Sequence, residues 1–475
     1  MDTRHATGGT FGGTFGMRNF GALDLGDSRR TTCLINVVDL MCRHPGGTLP
    51  DKLNRPADLR AFYRLMKRRE VTHPKLIQSH GDHTRDCIAG LGTGVVLILH
   101  DATELDYTSK TGLAAQLTQI GKGTHRGYIC HNSLAVRADT GAVLGLTSQI
   151  LHHRANVPKN ETLKQSRERH DRESRLWLQG AQASGPAPAG VTCVDVSDSL
   201  SDTFEYMAYE VTQGRHFVLR HREDRRLETS VAGQNYLVAA VQALPAVGQR
   251  PLTVHASPGR SARKTTVQIA FTTLRLAPPR KQHGDYAKTP LDIWAVRVWE
   301  PNTPAGEEPL EWILLTNVSV HDEADAHQRV DWYERRPIIE EYHKGMKTGC
   351  RIESMQFETI DRLEPAIAVL SVVTTTLLQL RDAARAPDAD KRLATEVIGD
   401  DYVAVLANHY GNRLGPRPTV LKFYMHVARL GGHQNRKVDG FPGWLTLWRG
   451  WTRLQSMVDG YHARHPKTKV KCGTN

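Results

Sequence analysis

The sequence has no pair of cysteines at CxxC spacing, no run approaching the roughly 18 consecutive apolar residues of a membrane span, and no internal repeat. Its seven cysteines are scattered and odd in number, which speaks against a disulfide framework or a cysteine zinc module and for free thiols in a reducing compartment. Cys33, Cys42, Cys87, Cys130 and Cys193 lie among apolar neighbours, as core residues do. The opening stretch, residues 1–16, is rich in Gly and Thr and carries no apolar signal region. A cytoplasmic protein with no membrane partner is therefore expected.

The 475 residues, 39% hydrophobic, are enough for about two to four domains with full cores. Charge is unevenly spread. The formal net charge is +12. Residues 1–80 hold 13 basic and 7 acidic side chains, and residues 402–475 hold 12 and 2, so the middle is slightly acidic. Basic ends around an acidic centre suit a chain that grips phosphates with its flanks and metal with its middle.

Periodicity sets the expected elements. From Leu25 the spacing is helical, with Leu34, Val37, Val38 and Met41 on one face and Asp27 or Ser28 as cap. A second helix is expected over 56–69, its apolar face Leu59, Phe62, Tyr63 and Met66 and its other face almost wholly Arg and Lys. A third runs over 73–89. This basic helical set, residues 1–90, resembles a DNA-binding unit. At Gly94 the pattern turns to strand. Two further apolar runs joined by Asp139-Thr140-Gly141 predict a hairpin. A polar helix-favouring stretch (158–182), a Gly/Pro loop (184–190), a buried strand (191–198), a helix (200–212) and a strand (216–220) follow. Strand, strand, strand, helix, strand, helix, strand is the order of an α/β RNase H-like core. Residues 221–320 read as a β-rich insertion, after which helices return over 336–348, 363–380, 418–431 and 444–462.

The candidate chemistry lies in three acids. Asp101 and Asp198 each end an apolar strand, and Glu340 lies on a helix after the insertion. Three such carboxylates can converge on two divalent ions that hold the attacking and leaving oxygens of an in-line phosphoryl transfer. Asp106, Asp195 and Asp202 are local competitors that periodicity does not remove. Tyr333, Arg336, Glu340 and Lys347, spaced 3, 4 and 7 apart, fall near one helical stripe, and Lys344 shares it. Acid for metal and cations for phosphate on one face make an active-site wall. Pro337 fits a first helical turn, which places Tyr333 ahead of the helix proper. His100, beside Asp101, reads as structural.

The Y-x(2)-R-x(3)-E-x(6)-K pattern of Tyr333, Arg336, Glu340 and Lys347 resembles the signature of the IS-four family of bacterial DDE transposases. The likeness extends over most of the chain. Residues 25–37 resemble the family's end-recognition helix, 100–109 the first-acid motif at Asp101, and 198–202 the second-acid motif, which favours Asp198 over Asp195. Residues 311–316 resemble the strand whose tryptophan, here Trp312, stacks on a base flipped from the DNA end. Residues 423–437 and 444–461 resemble the dimerisation region. Pro337 and residues 380–402 depart from the pattern.

The resemblance implies a metal-dependent nuclease and strand transferase. Asp101, Asp198 and Glu340 would be catalytic and hold two Mg²⁺ ions, with Mn²⁺ able to substitute. Tyr333, Arg336, Lys344, Lys347 and Trp312 would contact DNA, with Arg220 and Arg222 at the cleaved end and Arg29, Arg30, Arg60 and Arg64 in end recognition. The partners implied are double-stranded transposon ends, target DNA and a second copy once DNA is bound. The expected division is 1–90 (end recognition), 91–220 and 321–385 (core), 221–320 (insertion) and 386–475 (dimerisation and DNA contact). A structure-specific endonuclease of the same fold and a catalytically inert DNA-binding relative are the alternatives.

Overall fold

The computed structural model describes residues 13–44, 46–154, 160–162, 165, 168–254, 260–279, 289–436 and 439–464. Most of the Gly/Thr-rich start and parts of the polar stretch after residue 154 lie outside these residues.

The N-terminal helices form where their sequence spacing demands. Asp27 accepts a hydrogen bond from the Arg29 backbone and caps the helix Ser28–Arg43. Leu34, Val37, Val38 and Met41 on its inner face are all buried. Helix Pro56–Met66 starts with proline at its first turn and buries Phe62, Leu65 and Met66 against it. Helix His73–Ala89 then runs along the sheet. Its approach is close: a Cβ on Gly81 would meet the Thr147 carbonyl at 2.8 Å, so the helix can lie on the strand only because no side chain stands between them.

Among the described residues, one mixed sheet of twelve strands organises the rest. They are β1 (Gly94–Asp106), β2 (Thr118–Gln119), β3 (Arg126–Arg137), β4 (Val143–His152), β5 (Val191–Ser197), β6 (His216–Arg220), β7 (Arg226–Val231), β8 (Gln234–Tyr236), β9 (Gly248–Val254), β10 (Arg263–Leu276), β11 (Leu291–Trp299) and β12 (Glu311–Thr316). β1 to β3 and β3 to β4 are antiparallel, whereas β1 to β5 and β5 to β6 are parallel. The spatial order β4-β3-β1-β5-β6 therefore places β1 at the centre. Its run Val96–Leu99 is fully covered, as strands with layers on both faces must be. The β-rich stretch continues this same sheet. β12 joins β6 in antiparallel register, Leu314 opposite Arg220, and carries β11, β10, β7 and β8 outward.

Helix Ile360–Arg385 is the apolar spine behind the sheet. It packs on helix His73–Ala89, on β4, and on helices Val420–Leu430 and Trp444–Arg464. Its length and hydropathy would suffice to cross a membrane, but 89% of its apolar window is buried inside the protein.

The largest departure from expectation is around the Y-R-E-K residues. One helix was expected over 336–348. The helix starts at Pro337, with Tyr333 ahead of it as that proline implied, but it ends at Lys344, and Tyr333 lies in a further helix, Glu323–Glu334, that was not expected. Gly345–Gly349 then widens into a π-turn. Proline lacks the N–H needed to continue the first helix, so the four residues meet through a break and a widened turn, not along one straight stripe. Similarly, the helix expected from Leu200 starts at Phe204, after a short 3₁₀ turn, Ser199–Ser201, capped by Asp198.

Candidate active site

β1 and β5 run parallel, and their last registered pair is His100 with Ser197. One residue further on each chain stand Asp101 and Asp198. Side chains alternate across a sheet. His100 therefore faces the layer where Asp195 lies, 3.1 Å from its Nε2, while Asp101 turns toward the helix Pro337–Lys344.

That helix brings two charged groups to Asp101. Arg336, at its N-cap, lies 3.5 Å from Asp101 Oδ2 and also pairs with Glu340. Of the two adjacent glutamates, Glu341 is taken by the buried Arg381, which also holds Asp382 at 2.6 Å. Glu340 is left to turn toward Arg336. The structure thus gathers Asp101 and Glu340 about one guanidinium and places Asp198 next to Asp101.

Electrostatics express this crowding. Burial, opposed by Arg336 and reinforced by Asp198 and Glu340, pushes the Asp101 carboxyl up to about 7. Burial also raises Asp198, against a hydrogen bond from the Leu200 backbone and the pull of Arg336, Arg220 and Arg222. The three acidic competitors have quite different surroundings. Asp195 is 1% exposed and held between His100 and Arg215, the latter at 2.6 Å. Asp202 accepts from the backbones of Arg222 and Glu223 and pairs with Arg225 at 2.8 Å. Asp106 closes a turn with Thr108 and pairs with His125. All three are occupied by local structure.

An all-oxygen set of carboxylates short of positive charge fits, by its chemistry, a hard divalent cation such as Mg²⁺. Among the described residues, no three His, Cys, Asp or Glu side chains already stand close enough to chelate one. Arg336 lies between Asp101 and Glu340 and pairs with both.

The surrounding residues form a wall. Tyr333 and half-buried Trp312 meet edge to face with ring centroids 5.3 Å apart. Arg220, exposed at the end of β6, adds positive charge beside Tyr333. Arg222 is exposed beside it and lies 3.6 Å from Glu223. Lys344 is exposed on the helix, and Lys347, on the π-turn, reaches toward Glu353 at 3.7 Å. Sequence reasoning missed His343, whose Nδ1 lies 3.9 Å from Asp101 Oδ2. Its position three residues after Glu340 was the available signal.

The four N-terminal arginines stand well away from this cluster in the chain, on a separate helical unit. Arg29 is bound to Asp27 and Arg30 to Glu70, whereas Arg60 and Arg64 are exposed on helix Pro56–Met66. The family model for a transposase DNA-binding domain matches residues 14–71. The match spans the helices from Phe15 to Met66 and supports a DNA-processing enzyme, a transposase, with DNA as its partner.

Proposed function

We propose that this chain is a cut-and-paste DNA transposase of the IS-four family, near the Tn-five transposase, with an RNase H-like core, two Mg²⁺ ions per site and a DNA-bridged dimer as the working form. It would act on the nucleoid in the cytoplasm. The observation that carries this is the neighbourhood of Asp101, Asp198 and Glu340 around Arg336, in a chain whose residues 14–71 match a transposase DNA-binding domain. The strand order β4-β3-β1-β5-β6, with its antiparallel and parallel pairs, supports the RNase H-like assignment.

Asp101, Asp198 and Glu340 would hold the ions, which supply Lewis-acid polarisation of the scissile phosphate and a more acidic water. The protein's own groups do the rest. Arg336 exchanges its carboxylate partners for a DNA phosphate, for which its planar fork is well matched. Lys344 and Lys347 neutralise neighbouring phosphates. The four transesterification and hydrolysis steps share one geometry. Water nicks the transposon end, and the freed 3′-OH attacks the opposite strand and expels its oxygen as a hairpin closes. Water then reopens the hairpin, and the 3′-OH attacks a target phosphodiester, expelling the target strand's 3′-oxygen as the new bond forms. Hairpin closure bends the strand sharply. A base flipped onto Trp312 relieves that bend, with stacking worth about 1–3 kcal/mol.

The test uses purified protein, Mg²⁺ and DNA carrying the inverted repeats that flank its gene. Hairpin-ended excision products and joined target are expected, and both should vanish with Asp198→Ala. Excision without joining would instead mark a structure-specific endonuclease, and binding with neither product an inert relative.

A further inference from the structure

Beneath Asp101 lies a buried polar chain that the reaction above does not use. Asn132, on β3 and fully buried, has its Nδ2 3.3 Å from the Cys130 carbonyl and 3.1 Å from His343 Nε2. Its Oδ1 lies 2.7 Å from Gln149 Nε2 on β4. Gln149 Nε2 also meets Ser371 Oγ at 2.9 Å, and Gln149 Oε1 meets His73 Nε2 at 3.0 Å. His73 opens the helix that follows the matched DNA-binding residues.

The donors and acceptors in this chain can be assigned. A carbonyl oxygen only accepts, so the Asn132 atom facing Cys130 must be the NH₂ group. The same NH₂ faces His343 Nε2, and a donor there requires an unprotonated ring nitrogen. The Asn132 oxygen, facing away, accepts from Gln149. A neutral imidazole whose Nε2 accepts carries its proton on Nδ1. That nitrogen is the one turned toward Asp101 Oδ2, at 3.9 Å. Apo hydrogen bonds of this kind are often long and tighten in the working complex.

We infer that His343 is a positioning residue for Asp101. The Asn132–Gln149–His73 chain fixes its Nδ1–H tautomer, so that the ring donates to one oxygen of the carboxylate and leaves the other lone pairs for a divalent cation. This deepens the proposed metal-dependent function and rests on it. Partners of metal-ligating carboxylates set ligand orientation, and losing one costs about 10–100-fold in metal affinity. Without the donor, Asp101 would be held, among the described residues, by the Ala102 backbone and by Arg336.

The experiment uses the full chain without DNA, with Mn²⁺ as the probe. Mn²⁺ affinity is measured by electron paramagnetic resonance for the wild type, His343→Leu, His343→Asn and Asp101→Asn. The histidine ring nitrogens are read by ¹⁵N NMR, and His343 is assigned by its loss in His343→Asn. We expect His343→Leu to weaken Mn²⁺ by about tenfold or more, and His343→Asn, whose amide can donate from the same place, to restore affinity to within about threefold of wild type. In the wild-type spectrum Nδ1 of His343 should be protonated and Nε2 bare. An Nε2–H tautomer overturns the inference even if a variant fails to fold. Unchanged Mn²⁺ affinity in His343→Leu, with Asp101→Asn clearly weakened, overturns it while leaving the metal site standing. Unchanged affinity in Asp101→Asn removes the metal site itself, and the inference with it.

Discussion

Asp195, in β5, and Asp198, just past its end, lie three residues apart and anchor two carboxylate clusters with opposite surroundings. At Asp195 the charge is met: His100 and Arg215 close on it within a fully buried layer, and Glu210 shares the arginine. Burial alone would raise Asp195, but Arg215 and His100 more than offset it and hold the carboxyl down, at about 2. At Asp198 and Asp101 burial is opposed only in part, and both carboxyls rise. Asp195 uses its charge to lock β5, the loop at Gly185 and the start of β6 together through Arg215. At the Asp101–Asp198 pair, Arg336 offsets burial only in part, so these carboxylates are less fully compensated than Asp195. Function is expected where the fold leaves a charge unanswered.

The comparison breaks most sharply if the two clusters respond alike to substitution. Arg215→Met should leave two buried acids without their cation and lower stability by about 3–5 kcal/mol, read as a fall in the denaturation midpoint. Asp198→Ala should lower stability by no more than about 1 kcal/mol, since the lost cap on the Leu200 N–H is partly offset by removing a like charge from beside Asp101. The same substitution should cut end nicking by about 10³-fold or more, because ion-assisted chemistry is worth several kcal/mol. A stability loss in Asp198→Ala as large as that of Arg215→Met would make the second cluster structural as well.

A saturated cluster should also show itself in acid. Farther along the sheet, Glu300, just after β11, is gripped by the fork of Arg263, at 3.0 and 2.6 Å, and that contact holds its carboxyl down at about 2. A carboxyl depressed in the folded state stabilises the fold fully above its unfolded value of about 4.3, and that contribution fades as pH falls toward about 2. Wild-type stability should therefore drop between these limits, and Arg263→Met should flatten that part of the profile while lowering the plateau above it. A profile of unchanged slope in the variant would mean that other carboxyls set the acid limit.

A smaller effect is expected at Arg336, which pairs with both Asp101 and Glu340. A partly exposed ion pair is worth up to about 1 kcal/mol, so Arg336→Met should tighten Mn²⁺ binding to the DNA-free chain by about fivefold, even as it impairs DNA cleavage. Weaker Mn²⁺ binding in this variant would mean that Arg336 organises the carboxylates for the ion instead of competing with it.

Much of the fold could be read from spacing. The inner face of Ser28–Arg43, the bounds of His73–Ala89 and the Asp139-Thr140-Gly141 hairpin follow from local rules that the tertiary structure does not override. Helix Glu323–Glu334 escaped notice because its inward face includes Arg329 as well as Ala326, Val330 and Trp332, and its first turns are acidic and polar, so no apolar stripe stands out. The pairing of β12 with β6, separated by about ninety residues, has no local signature at all. At the candidate site, the acid at each strand end and the Y-R-E-K spacing were visible. The competition among Asp101, Asp106, Asp195, Asp198 and Asp202 was visible too, but periodicity did not give its outcome, because only the fold decides which carboxylates find partners. His343 was missed for the same reason: its meaning depends on Asn132 and Gln149, two strands away.

The same contrast between answered and unanswered charge applies to the arginines of the DNA-binding unit, where the smallest effects are expected. Arg29 and Arg30 already have acidic partners in Asp27 and Glu70. Arg60 and Arg64 are exposed along one side of helix Pro56–Met66, and among the described residues neither makes an ion pair. Each phosphate contact contributes about 0.9 to the slope of log affinity against log salt. Arg60→Ala and Arg64→Ala should each lower that slope by about 1, with stability unchanged to within about 0.5 kcal/mol. Arg29→Ala and Arg30→Ala should change the slope less, because each must give up an intramolecular partner before it can serve DNA. Salt titrations of end binding for the four variants make the comparison. If the paired arginines dominate the slope, their carboxylate partners are lost on binding, and the DNA-free pairing of Asp27 and Glu70 does not predict which cations meet phosphate.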